Sequence, residues 1–129
     1  MKKKKDLLKS QESTNNSTRF SWKSAENAAI SFLKRKGYKI LSRNFRTKFG
    51  EIDIIALDDD TLVFIEVKSG NSDKVDPFER ITNQKISKIE RVAEFYMNYN
   101  RNFVYSRTRI DAIKVHKNKI FHQKGITDL

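Results

Sequence analysis

Two short stretches carry the residues best suited to chemistry: Glu51-Ile-Asp-Ile-Ile-Ala-Leu57 and, after an Asp-rich turn, Leu62-Val-Phe-Ile-Glu-Val-Lys68. Each is an apolar, β-branched run with charged residues toward one end, the pattern of a strand. A hairpin turning between Asp59 and Asp60 sets Asp53 opposite Glu66 and Glu51 opposite Lys68. Side chains alternate along a strand, so Glu51, Asp53, Ile55 and Leu57 share a face with Lys68, Glu66, Phe64 and Leu62. The other face, Ile52, Ile54 and Ala56 against Val67, Ile65 and Val63, is wholly apolar, and strands apolar on both faces are interior. Directly opposed carboxylates, with Cβ atoms roughly 4.5–5.5 Å apart, repel. Taking such ions out of water costs several kcal/mol each unless something compensates them. A divalent cation compensates both at once, and oxygen ligands beside a phosphate-bearing substrate suit Mg2+ or Mn2+. Such an ion polarises a phosphodiester and activates water, while Lys68 on the same face would orient that water or stabilise charge on the phosphorus oxygens. The plainer reading is a pair of sheet-end acids neutralised by lysine. Two carboxylates and a lysine converging in otherwise apolar strands favour the metal site.

The elements that must position these residues follow from the same chain. A helix is expected over Trp22 to Lys36, ending at Gly37, with Trp22, Ala25, Ala29, Phe32 and Leu33 as its buried stripe. Glu26 falls at the edge of that stripe, which makes it a candidate third acid, catalytic or metal-ligating, facing the sheet; by itself it would be a rim residue. Tyr38 to Arg46 reads as a strand, Thr47 to Gly50 as a turn, and with the hairpin they form an antiparallel meander. Ser69 to Arg80 is a polar loop in which Asp76-Pro77-Phe78-Glu79 has the form of a helix start. Thr82 to Tyr99 is a second helix with Ile86, Ile89, Ala93 and Tyr96 inward. Phe103 to Arg107 and Arg109 to Val115 are strand-like, and Lys117-Asn118-Lys119 turns back through Ile120 to His122. The order α-β-β-β-α-β-β describes an α/β chain, a mixed sheet flanked by helices.

The chain has 129 residues, no cysteine and a net charge of +11. That length suits one domain, expected at residues 21–129. The absence of cysteine excludes disulfides, thiolate catalysis and thiolate metal centres, and fits a cytoplasmic address. No apolar stretch is long enough to span a membrane. Residues 1–20 hold six Lys/Arg and two acids, +4 of the total, and leave +7 for the rest. This segment is expected to be a disordered basic arm. A basic folded part calls for a polyanionic partner, and nucleic acid leads. Arg43, Arg46 and Lys48, interleaved with Phe45 and Phe49, suit phosphate contacts, as does Lys85 on the second helix. Asp111 is expected to be structural or to support the site, and His116 and His122 to be bland, with no carboxylate nearby. A membrane-surface or ribosome-associated protein is the weaker alternative, for want of an amphipathic cationic helix.

At these residues the chain resembles a known group. The segments AENAAISFLKRKGYKILSRNFRTKFGEIDIIALD, TLVFIEVKSG, TNQK and RIDAIKV are similar to the YraN-like family of small bacterial proteins, assigned to the restriction-endonuclease-like PD-(D/E)XK superfamily near the Holliday junction resolvases. The resemblance covers about residues 22–115. It implies a restriction-endonuclease-like sheet flanked by helices, with Asp53 and Glu66 as metal ligands, Lys68 as the catalytic lysine and Glu26 as the helix-borne acid. The implied activity is hydrolysis of phosphodiester bonds by a metal-dependent endonuclease acting on DNA rather than RNA, with branched or recombination intermediates as candidate substrates. A homodimer is left open. The rival reading is a non-catalytic nucleic-acid-binding accessory of recombination or DNA uptake. The superfamily's proline before the first aspartate is replaced by Ile52, Ala25 stands at a frequent glycine, and Ser69-Gly70 replaces a commoner Thr-Arg.

Overall fold

The computed structural model describes residues 23–70, 81–101 and 104–126. The basic arm, Trp22, the Asp76-to-Glu79 helix start and Phe103 lie outside the described residues. Helix α1, residues 23–35, stops where expected. Gly37 takes a left-handed φ of 91°, its N–H reaches Lys34 O, and the Tyr38 N–H reaches Leu33 O. That pair of bonds closes the helix end in a Schellman motif, a conformation glycine adopts without steric cost.

Three antiparallel strands follow: β1 (Lys39–Thr47), β2 (Gly50–Asp58) and β3 (Thr61–Ser69). Helix α2 (Asn83–Tyr99) is capped by Thr82, whose hydroxyl accepts from the Lys85 N–H. Then come β4 (Arg107–His116) and β5 (Lys119–Gln123), joined by a turn with both Lys117 and Asn118 at positive φ. Two left-handed central residues are the signature of a type I′ hairpin, whose twist matches that of the strands. The sheet runs β1-β2-β3-β4-β5, with β3 and β4 parallel and every other pair antiparallel. Ile65 lies beside Asp111, and Glu66 beside Ala112. The α/β order read from the sequence holds, with one correction. Val104 to Ser106 form no strand, and a single strand beginning at Arg107 replaces the two expected.

Each face of the sheet buries its own core. Ala25, Ala29, Ile30 and Leu33 of α1 pack on Ile54, Ala56, Val63, Ile65, Val67 and Ile113. On the other face, Ile86, Ile89, Val92, Ala93 and Tyr96 of α2 cover Ile55, Leu62, Phe64, Ile110 and Ala112. β2 and β3 are therefore covered on both sides, which is why they read as continuous apolar runs. Ile52 breaks the expected alternation. It belongs to the α2 core although Ile54 belongs to the α1 core, so the strand changes face about Asp53.

Candidate functional site

The hydrogen-bonded ladder between β2 and β3 keeps the predicted register as far as Ile54↔Ile65. One step further, Asp53 and Glu66 are not ladder partners. The Asp53 side chain turns across instead, and its Oδ2 accepts the Val67 N–H at 2.8 Å. A carboxylate oxygen thus takes a strand donor, and both acids are drawn in until they are nearly inaccessible, Asp53 at 5% and Glu66 at 6% exposure. Their carboxyl groups meet. Burial, then a hydrogen bond to Glu66 and the Glu66 charge, push the Asp53 carboxyl up to about 8, against the opposing pull of the Val67 N–H. Asp53 therefore holds its proton more tightly than an ordinary carboxyl, because a like charge beside it in so poorly solvated a place disfavours its ionised form.

Two lysines reach Glu66 from different elements. Lys68, two residues along β3, brings Nζ to 3.9 Å from Oε1, and Lys85 from the first turn of α2 brings Nζ to 3.7 Å from Oε2. Lys85 thus reaches toward the sheet while staying partly exposed. Glu51 does not hold Lys68. It pairs with Arg46 at 2.9 Å across the β1–β2 ladder, where it is Arg46's register partner.

Glu26 is buried at 3% exposure on the inner edge of α1. Its Oε1 accepts from Arg43 Nη2 at 2.8 Å, Arg43 Nε at 3.2 Å and Asn44 Nδ2 at 3.0 Å. Its Oε2 is buried with no hydrogen-bond partner. Asn44 has φ 53° and stands between Arg43, opposite Ile54, and Phe45, opposite Ile52. Glu26 therefore meets β1 at the level of Asp53. Among the described residues, however, no three Asp, Glu or His side chains are gathered closely enough to hold a metal by themselves. Asp53 and Glu66 come together, and Glu26 comes to the neighbouring strand.

The expected phosphate-binding residues separate. Arg43 is half-exposed but engaged with Glu26 and Asn27; Arg46 is largely exposed beside Glu51; Lys48 lies over the Phe49 ring, 5.3 Å from its centroid.

His122 departs from the expectation that no carboxylate is near it. Its Nε2–H donates to Asp111 Oδ2 at 2.7 Å, and its ring meets Phe32 and Tyr38 edge-on. Asp111, fully buried, also accepts from Arg109 and from the Gly125 N–H. Arg109 continues the network to Tyr38 and Asp58. Burial works against ionised Asp111, but the His122, Arg109 and Gly125 bonds outweigh it and hold the carboxyl below its ordinary value. Arg109 escaped the sequence reading, although the alternation of Arg109 with Asp111 in an apolar strand was its available signal. The network supports the structural role expected of Asp111.

Among the described residues no helix is long and apolar enough to cross a membrane. Compared with known proteins, residues 25–115 match the model of "Uncharacterised protein family UPF0102". The chain is similar to a UPF0102 protein of Thermotoga petrophila, 52% identical over 105 residues that cover 81% of this chain and 94% of the relative. A UPF0102 protein of Fervidobacterium nodosum is 41% identical over 123 residues, 95% of this chain and 92% of the relative. One from Persephonella marina is 44% identical over 114 residues, 85% and 97% of the two chains. With most of its length matched from α1 through β4, the chain belongs to the UPF0102 family, the YraN-like group whose motifs its strands carry.

Proposed function

We propose that the chain is a divalent-metal-dependent nuclease that hydrolyses phosphodiester bonds in DNA, of the restriction-endonuclease-like type. The observation that carries this reading is the buried Asp53–Glu66 pair, with a proton held up to about 8 and lysines on both sides of Glu66. A fold gains nothing from like charges forced together in its interior. Such a pair is suited to a cation. Mg2+ is commonly bound through one or two carboxylates, completing its shell with water and substrate phosphate, so Asp53 and Glu66 fit it without a third ligand. Glu26, with one buried oxygen unpartnered, is assigned to a water on that ion. When bound, the ion supplies charge for the scissile phosphate and acidifies water.

The chain's own groups do the rest. The Val67 N–H holds Asp53 Oδ2, and the Asp53 carboxyl is hydrogen-bonded to Glu66. Lys68 Nζ, beside Glu66 Oε1, is placed to orient the attacking water and to meet negative charge on the phosphorus oxygens. Lys85 brings a second cation from α2 to the same carboxylate. One observation favours a DNA-binding protein without chemistry: each Glu66 oxygen has a lysine within reach, which neutralises it without a metal.

The two readings part in one experiment. Labelled single-stranded, duplex and branched DNA are incubated with the full chain in Mg2+, in Mn2+ and in chelator, beside Lys68→Ala. Cleavage is expected only with metal, and Lys68→Ala is expected to lower it by a hundredfold or more, on the order of one lost transition-state contact, with DNA affinity changed less than about threefold. Cleavage in chelator, or undiminished in the variant, overturns the assignment. Binding without cleavage by the wild type supports the non-catalytic reading.

A further inference from the structure

Along one edge of α2 the exposed residues are Lys88, Arg91, Phe95 and Tyr99, three or four positions apart and so in one row. Tyr99 is 74% exposed and lies tilted against Phe95, with ring centroids 4.7 Å apart and planes at 33°. Phe45 of β1 extends the aromatic surface, at 6.4 Å from Phe95, and is itself anchored edge-on against buried Tyr96. Beside it Phe49 is flanked by cations, with Arg91 and Lys48 each 5.3 Å from its centroid. Both helix acids in this stretch, Glu90 and Glu94, lie on the other flank, lining the cleft toward Thr108 and Ile110 of β4. Lys85, at the start of the same helix, touches the candidate site. Tyr99 is fourteen residues further on, about 21 Å along the axis.

Resting on the nuclease reading, we propose that this row binds an unpaired segment of the DNA strand, with a base stacked on Tyr99 and Phe95 and phosphates along Lys88, Arg91 and Lys48, and leads it to Asp53 and Glu66. Rings alternating with cations are the composition that single strands need. Aromatic faces accept any base, while the charges follow the backbone. The bases of a duplex are stacked inside it and cannot use Tyr99. Charge selects this occupant over a second copy of the chain, since the row and the adjoining Lys48 together carry three cations and both acids of this stretch of the helix face away from it. The aromatic strip also gives the site what the carboxylates alone lack, a preference for a strand that is open near the bond to be cut.

The test uses the full chain, with anisotropy of labelled oligo-dT, oligo-dA, oligo-U and blunt duplex DNA at fixed salt, for wild type, Tyr99→Ala and Tyr99→Phe. Tyr99→Ala is expected to weaken single-stranded DNA binding about tenfold, the loss of one stacked base, and duplex binding less than twofold; Tyr99→Phe keeps wild-type affinity. Unchanged single-strand affinity, an equal loss on duplex, or tighter binding of oligo-U than of DNA overturns the proposal. So does sedimentation showing a wild-type dimer that Tyr99→Ala dissociates, because the face is then an interface between copies. Because Tyr99 is exposed, circular dichroism is expected to match wild type. Binding is measured without cleavage, so a chain that never cuts DNA leaves this result standing, and a chain that cuts but ignores Tyr99 loses the platform alone.

Discussion

The Asp53 carboxyl shows what a buried acid beside a second acid costs a fold. Its pKa is raised from the ordinary carboxylate range to about 8, so the folded chain retains a proton that the unfolded chain releases near pH 4. The contribution of Asp53 to the stability of the metal-free protein is therefore complete below about pH 4, falls as pH rises to about 8 and levels off above, since at this site the unfolded state binds fewer protons throughout that window. Asparagine copies the protonated form: its Oδ1 still accepts the Val67 N–H and its amide donates toward Glu66. Asp53→Asn is thus expected to melt about 5 °C above wild type at pH 9 without metal and close to wild type at pH 5, read by thermal denaturation with chelator present. A variant no more stable at pH 9 means that the two carboxyls do not confront each other. The pairing of Asp53 with Glu66 was legible because a short turn and two apolar faces leave one register open to the hairpin. The sideways swing of Asp53 onto the Val67 N–H was not, because it replaces a ladder bond, and strand periodicity assumes that ladder bonds persist. Glu26's partners were hidden for another reason: Arg43 and Asn44 are seventeen and eighteen residues away, and only the packing of α1 on the sheet brings them in.

At the scale of elements, β5 is held by more than its ladder. It is a five-residue edge strand, and Asp111 secures it twice, through His122 within the strand and through the Gly125 N–H beyond it. The sequence shows the turn and the strand, yet not this clasp, because polar partners eleven and fourteen residues apart leave no periodic trace. Asp111→Ala leaves buried His122 and the Gly125 N–H without their acceptor and Arg109 with Asp58 and Tyr38 alone, and is expected to cost about 3 kcal/mol, measured by urea unfolding at pH 7. The wild-type contribution belongs to the ionised form. With the folded pKa below 3.8, it is complete above about pH 4 and is lost as pH falls through the folded value. The difference between wild type and variant should therefore shrink as pH falls below 3.8. A difference that stays unchanged through an acid titration would show that the lost contacts are packing and not charge. The helices were the most legible elements, since glycine at the end of α1 and threonine at the start of α2 act within one turn. The segment before Arg107 was the least, since apolar residues at Phe103 and Val104 imitate a strand that Val104, at 92% exposure, does not make.

For the whole molecule, the sheet joins two kinds of connection. β1, β2 and β3 are chained by tight turns, whereas β4 meets β3 in parallel only after the chain has passed through α2 and back. Adjacent antiparallel pairs close at little entropic loss, and a parallel neighbour some 46 residues away, as Thr61 is from Arg107, closes late. The expected order of assembly is that the meander with α1 forms first, with β3 at its open edge, and that α2 with the β4–β5 hairpin docks afterwards. Pulsed hydrogen exchange during refolding is expected to protect Ile54, Ile55 and Phe64 amides before those of Ile110 and Ala112; simultaneous protection would rule out this order. Glu66 lies on that late edge, and its lysine partner on α2 arrives only with docking. The carboxyl pair can thus assemble at the end of β2 and β3 before Lys85 reaches it, so a chain stalled part-way through folding would hold two acids and no second cation.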